Sequence, residues 1–287
     1  MPTVRLTAGS IDYIDSGGSG PTVVFLHGVS MDASVWRKVI AELEPNVRCV
    51  APTLPLGSHR RAMDRPDLVT HRGVANLVGE LLEALDLHDV TLVLNDWGGA
   101  VLLIAEGSAD RVGSLALIAC EAFDNFPPGR SGRALTACAR LPGAFWVLMQ
   151  LQRFRWFRRA PGGWGWMSKR PVPGEVMDRW FQPAQRSAAV RRDLRSFALS
   201  TPSSEELRAL PDRLRAFGRP VLVGWASEDR LMPREHGPRL AEVFPRGRLV
   251  EIDDSYTLVP EDQPERLSEE LRQFVAANAT DAGRGDR

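Results

Sequence analysis

One stretch constrains the chain more than any other: Leu92-Val93-Leu94-Asn95-Asp96-Trp97-Gly98-Gly99-Ala100. The apolar run over residues 90–94 predicts a buried strand, and the apolar-periodic run over residues 100–105 predicts a helix. Between them stand one carboxylate, one indole and two glycines, too few residues for a loop. A strand that passes into a helix this abruptly lifts the central side chain out at the strand's C-terminal end. The backbone there is strained and needs small neighbours, and the new helix aims its first amides at the same spot. The bland alternative is an aspartate that caps the N-terminus of an ordinary helix.

At 287 residues the chain has room for one large α/β domain with a sizeable insertion. Its 44% apolar and 25% charged content are those of an ordinary globular protein. No apolar run approaches the ~20 residues needed to cross a bilayer. Residues 1–6 have strand character without a signal-peptide layout, so a cytoplasmic protein is expected. Cys49, Cys120 and Cys138 are odd in number, lie in or beside apolar runs and lack metal-ligand spacing, as reduced core thiols would. Charge is zero overall but unevenly spread. Residues 128–219 hold 18 Lys or Arg against 6 Asp or Glu, leaving 18 against 30 elsewhere, so +12 faces −12. A basic module docked on an acidic one explains this, and so does a cationic entrance for an anionic substrate.

In chain order, residues 4–6 and 11–14 alternate as an edge hairpin, and residues 22–26 form a buried strand ending in His27-Gly28-Val29-Ser30. A helix over residues 33–43, a strand over 48–51 and a long amphipathic helix over 67–87 precede the central strand. A buried strand at 114–119 follows. Alternating strands and helices of this length imply right-handed crossovers and a parallel sheet. The pattern breaks after Phe126-Pro127-Pro128, where about ninety residues carry helices and no strand. Five of the eight tryptophans lie there: Trp146, Trp156, Trp164, Trp166 and Trp180. Strands return at residues 220–225 and 248–252, a helix closes the fold from 264 to 277, and a polar tail is expected from 280.

This order of elements resembles the α/β-hydrolase superfamily over residues 4–277, and Asn95-Asp96-Trp97-Gly98-Gly99 resembles its nucleophile elbow. An aspartate there is similar to the branch of haloalkane dehalogenases and epoxide hydrolases. The resemblance implies a mostly parallel sheet with helices on both faces, a core of residues 1–127 and 215–279, and a helical cap at 128–214. It implies that Asp96 attacks carbon and forms an ester, with water excluded and the electrophile held in line. His27-Gly28-Val29 matches the oxyanion turn, where the Val29 and Trp97 amides would face developing charge. Trp97 would help hold a halide. Asp229 matches the acid that orients a catalytic histidine, and Glu121 stands where some dehalogenases carry that acid instead. Tyr256 and Thr257 are expected to join the substrate-binding set, and tryptophan and phenylalanine side chains of the cap should face Asp96.

Four departures mark the chain. Leu94 fills a position that is usually small, and Val29 stands where dehalogenases often have a halide-donating Asn. The only tyrosines, Tyr13 and Tyr256, are outside the cap, which argues against the usual epoxide opening. Registered on Pro260-Glu261-Asp262-Gln263-Pro264, the catalytic histidine position holds Thr257, which cannot take a proton from water as imidazole can. Of the remaining histidines, His59 is the expected substitute, because loops at the sheet's C-terminal ends line the pocket. The expected activity is hydrolysis of a small, mostly apolar substrate, with Asp96 as nucleophile or base and without metal or cofactor. The alternatives are a lyase, isomerase or cyclase using the same pocket, or a binding protein that has lost its chemistry. Neither nucleic acid nor membrane contact is expected, although Arg153-Phe154-Arg155-Trp156-Phe157-Arg158-Arg159 poses the membrane question. A homo-oligomer is left open.

Overall fold

The computed structural model describes residues 1–97 and 99–285, with side chains described as far as Asn278. The chain opens with an antiparallel hairpin, β1 (Thr3–Leu6) and β2 (Gly9–Asp15), followed by β3 (Thr22–Leu26), α1 (Arg37–Leu43) and β4 (Arg48–Pro52). Next come α2 (His71–Ala84), β5 (Val90–Asp96), α3 (Val101–Ala105) and β6 (Val112–Cys120). Six helices then follow without a strand: α4 (Gly129–Arg140), α5 (Ala144–Leu151), α6 (Arg155–Arg159), α7 (Gly174–Arg186), α8 (Ala188–Leu199) and α9 (Ser204–Leu214). The core resumes with β7 (Val221–Ala226), α10 (His236–Val243), β8 (Gly247–Ile252), α11 (Val259–Asp262) and α12 (Pro264–Gly285). The polar tail expected from residue 280 falls partly outside the described residues.

The strands form one sheet in the order β1-β2-β4-β3-β5-β6-β7-β8, antiparallel at the β1-β2-β4 edge and parallel from β4 onward. The inner strands read as unbroken apolar runs because helices cover both faces of a parallel sheet. Two buried clusters result. Val24, Leu92, Leu94 and Leu117 pack under α2 and α3, while Val23, Phe25, Val93 and Ile118 pack under α1 and α12. The inserted helices carry a small core of their own around Leu135, Met149, Val190 and Leu194.

One boundary differs from the sequence reading in a way that matters. The helix expected over residues 67–87 is split. A 3₁₀ turn occupies Pro66–Leu68, and α2 starts only at His71, because the Thr70 hydroxyl accepts the Gly73 N–H as an N-cap. His71 is thereby placed at a helix start, directed at the end of the sheet rather than along a continuous helix.

Candidate active site

Asp96 ends β5 with φ at +65°, in the left-handed region that costs a non-glycine residue strain. The β5–β6 ladder slips at this point, pairing Asn95 with Ile118 but Asp96 with Cys120, and the Glu121 amide donates to the Asp96 carbonyl at 2.9 Å. The Asp96 side chain is not a helix cap: Ala100 occupies the N-cap of α3 and makes no side-chain bond. The carboxylate instead lies across the turn after β3, where Oδ2 accepts the Val29 N–H at 3.1 Å. Only glycine allows this approach at position 28, since a Cβ there would stand 1.9 Å from Asp96 Oδ2. Gly99 is small for the same reason: the Trp97 indole folds back over it, and a Cβ would meet Nε1 at 2.2 Å.

The turn holding Val29 is fixed from two sides. Below, the Leu54 N–H donates to His27 Nε2 at 2.8 Å, which leaves Nδ1 to carry the proton and donate to the Gly28 carbonyl at 2.8 Å. Burial pushes the His27 pKa down to about 4, so this clamp is a neutral imidazole. Above, Trp164 donates its indole N–H to the Val29 carbonyl at 2.9 Å. A helical-segment tryptophan therefore holds the peptide whose amide meets Asp96. The second expected oxyanion amide is spoken for, because the Trp97 N–H donates to the Asn95 carbonyl at 2.8 Å.

Asp96 sits at the floor of a cavity of about 570 Å³, its mouth included. Val29, His71 and Glu121 stand in the wall beside it, and Leu135, Trp164, Met167 and Phe197 roof it. Of the five tryptophans of residues 128–214, Trp164 reaches this wall. Trp180 instead pins its segment to the core, donating to Asp32 Oδ1 at 3.2 Å and Ser34 Oγ at 3.0 Å, while Trp146 and Trp156 are exposed. Burial pushes the Asp96 pKa up to about 7, assisted by the charge of Asp229 and opposed by the Val29 N–H. Near neutral pH this is a carboxyl poised between acid and carboxylate.

Asp229 follows β7 at the same end of the sheet. Its Oδ1 accepts the Leu231 and Met232 amides at 2.8 and 3.0 Å and the Thr257 hydroxyl at 2.8 Å. Its Oδ2 is buried without a partner among the described residues, and burial raises its pKa. Thr257 thus occupies the place against the acid where the resemblance puts an imidazole, and the oxygen an imidazole N–H would satisfy is left over. The Thr257 carbonyl accepts the Asn95 side-chain amide at 2.7 Å, which ties this loop to β5.

Several expectations need correction. His59 does not face Asp96. It is buried against the cap, with Nδ1 accepting the Gly57 N–H at 3.3 Å and Nε2 3.1 Å from Asp193 Oδ2, so it is a clasp between a core loop and α8. Tyr256 lies outside the cavity wall, its ring stacked under the Arg230 guanidinium at 4.2 Å. His27 and Thr257 are also outside that wall, one beneath the turn and one against Asp229. The histidine that does reach the cavity is His71, which sequence reasoning passed over. Its ring lies 3.9 Å from the Phe197 centroid, and Trp97 donates its indole N–H to Nδ1 at 3.3 Å. Burial holds the His71 pKa down to about 3, so the ring is neutral, with its proton on Nε2. The Thr70 N-cap was the available signal for its position. Its aromatic partners come from distant segments that local pattern cannot place. No three His, Cys, Asp or Glu side chains converge as metal ligands would among the described residues.

The model of the family described as "Alpha/beta hydrolase family" matches residues 23–270. The chain belongs to that family. Haloalkane dehalogenase 2 of Mycobacterium tuberculosis is 27% identical over 270 residues, covering 91% of this chain and 89% of that protein. A protein of Xanthomonas campestris named cis-3-alkyl-4-alkyloxetan-2-one decarboxylase is 25% identical over 294 residues, covering 94% and 93%. The crystal structure of a haloalkane dehalogenase from Bradyrhizobium elkani superposes with a TM-score of 0.78 at 20% identity, covering 96% of this chain and 97% of that one. That likeness fixes the fold: an α/β-hydrolase sheet bearing a helical cap. Family and relatives together make this α/β-hydrolase a hydrolase-type enzyme with dehalogenase resemblance.

Proposed function

We propose that this α/β-hydrolase attacks a small, mostly apolar electrophile with Asp96, and that release of the resulting ester limits its turnover. The observation that carries this reading is the Asp96 carboxylate itself: held at a strained elbow, accepting the Val29 N–H and buried under an apolar roof. A carboxylate stripped of water is a strong nucleophile toward an electrophile held in line. Val29 N–H keeps Oδ2 in place while Oδ1 forms the bond, and the same N–H then faces the ester carbonyl when water attacks. That second step is where this chain differs from its relatives' expected pattern, since Thr257 cannot deprotonate water and His59 is committed to Asp193.

Haloalkanes should be poor substrates. The Trp97 indole N–H that would greet a departing halide is donated to His71, and Val29 offers no side-chain donor in place of Asn. A second reading is favoured by Thr257 together with a carboxyl whose pKa lies near 7. In a lyase, isomerase or cyclase no water has to be deprotonated, and Asp96 would act as base or ring-opening group. The Xanthomonas relative is named for a decarboxylation. Intact-mass spectrometry after incubation with a primary alkyl bromide, followed by peptide mapping, separates the readings. The nucleophile reading predicts one alkyl group on Asp96 and none in Asp96→Asn. Activity that requires Asp96 with no adduct from any electrophile would transfer the assignment to the second reading, and binding without either would leave only a pocket.

A further inference from the structure

Beside the cavity over Asp96 lies a second, wider groove. Ser131, Gly162, Met167 and Leu231 line both spaces, and the outer groove adds Arg130, Arg133, Arg230 and Trp166. Residues 125–174 contain nine Lys or Arg and no Asp or Glu. Some of these cations have a structural task. Lys169 pairs with Glu228 and Asp254, and Arg170 with Asp254, fastening the cap to the acidic core. Arg158 pairs with Asp178. Arg130 and Arg133 are exposed and have no such pairing among the described residues.

Their position is electrostatically adverse. They stand in the first turns of α4, where the helix dipole disfavours cations, with Pro128 as an N-cap that makes no side-chain bond and no acidic residue in the first turn. The Arg230 guanidinium lies over two rings, 5.0 Å from the Trp166 centroid and 4.2 Å from that of Tyr256, and these cation–π contacts hold it at the groove. Three guanidiniums without a carboxylate partner among the described residues, beside an indole and next to an apolar cavity, make a site for one anion attached to an apolar chain.

Building on the Asp96 reading above, we infer that this groove docks the anionic head of an amphiphilic substrate, with Arg130 and Arg133 as the specificity-determining residues. The apolar chain runs inward past Met167 and Leu231 to the carboxylate. The substrate class is then an alkyl or acyl compound of a few to a dozen carbons ending in a carboxylate or phosphate.

Two arms test this on the full chain. In the first, tryptophan fluorescence follows binding of decanoate, decyl phosphate and decanol at 20 and 500 mM NaCl. The anions should bind roughly tenfold tighter than decanol at low salt, and lose most of that margin at high salt, where the Debye length falls to a few ångströms. In Arg130→Ala/Arg133→Ala the margin should collapse toward onefold. Arg186→Ala, an exposed cap arginine away from both spaces, should keep it. Equal binding of decanoate and decanol, or a margin that survives Arg130→Glu/Arg133→Glu in a chain of unchanged melting temperature, would overturn the proposal. So would arginine-dependent binding to phosphatidylglycerol vesicles without binding of monomeric decanoate, which would make the patch a lipid-surface contact.

The second arm compares labelling by 8-bromooctanoate and 1-bromooctane. A C–O bond forms from Asp96 as the C–Br bond breaks, and bromide leaves with the bonding pair. The anionic reagent should label about tenfold faster than the neutral one, and the arginine double variant should lose that preference. If both label Asp96 at one rate, the groove assignment fails and the Asp96 reading stands. If neither labels while the first arm shows the anion margin, the reverse holds.

Discussion

Asp96 holds a proton that the unfolded chain would have released. Its carboxyl titrates near 7 in the fold against 3.8 for an unperturbed side chain. Between those values the native state binds more protons than the unfolded state, so native stability falls as pH rises from about 4 to about 7. Asp96→Asn removes that loss while its amide oxygen can still accept the Val29 N–H. The variant should therefore gain stability over the native chain at pH 8 but not at pH 4, by an amount on the order of a few kcal/mol, since each unit of pKa corresponds to about 1.4 kcal/mol. Urea unfolding at the two pH values measures it, and an equal difference at both would show that the carboxyl is not held protonated. Asp96 was legible in the sequence because an elbow is a local device: strand, carboxylate, glycines and helix within ten residues. His71 was not, because what makes it part of the cavity is Trp97, Phe126 and Phe197, brought to it by three separate segments.

At the scale of elements, the loops at the C-terminal ends of the parallel strands supply the site. His27 to Val29 follow β3, Asp96 ends β5, Glu121 follows β6, Asp229 follows β7 and Thr257 follows β8. The positions of the inner strands were readable from apolar runs, since burial on both faces of the sheet leaves little choice of residue; their order in the sheet was not. The cap's attachment was not readable, because it rests on single polar contacts. Asp193, fully buried in α8, accepts from His59 and from the Met63 N–H at 2.8 Å, joining the cap to the loop after β4. Asp193→Ala strands both donors, and should cost roughly 2–5 kcal/mol, whereas His59→Gln, which keeps a donor for Asp193, should cost less. Denaturant melts give both numbers. Neither change touches Asp96, so bromide labelling should persist in His59→Gln; its disappearance would return His59 to the chemistry.

At the scale of the molecule, the cap's surplus of positive charge divides between two tasks. Lys169 and Arg170 meet the acidic core through Glu228 and Asp254, as docking of opposite modules requires, while Arg130 and Arg133 remain at the groove beside the cavity. Composition announced the imbalance but could not say which arginines were spent on docking, because that depends on which carboxylates the fold brings within reach. The whole architecture converges on one kinetic claim. In the proposed reaction Asp96 forms the ester, while the loop after β8 presents Thr257 and leaves Asp229 Oδ2 without a partner among the described residues. The lifetime of the alkyl-Asp96 ester, followed by intact mass after excess bromide is removed, tests that claim most directly. The native chain should hold its adduct long enough to be seen without quenching, and Thr257→His, folded and with its imidazole against Asp229, should release it about 10²- to 10⁴-fold faster. An adduct that vanishes as fast in the native chain as in Thr257→His would contradict the account.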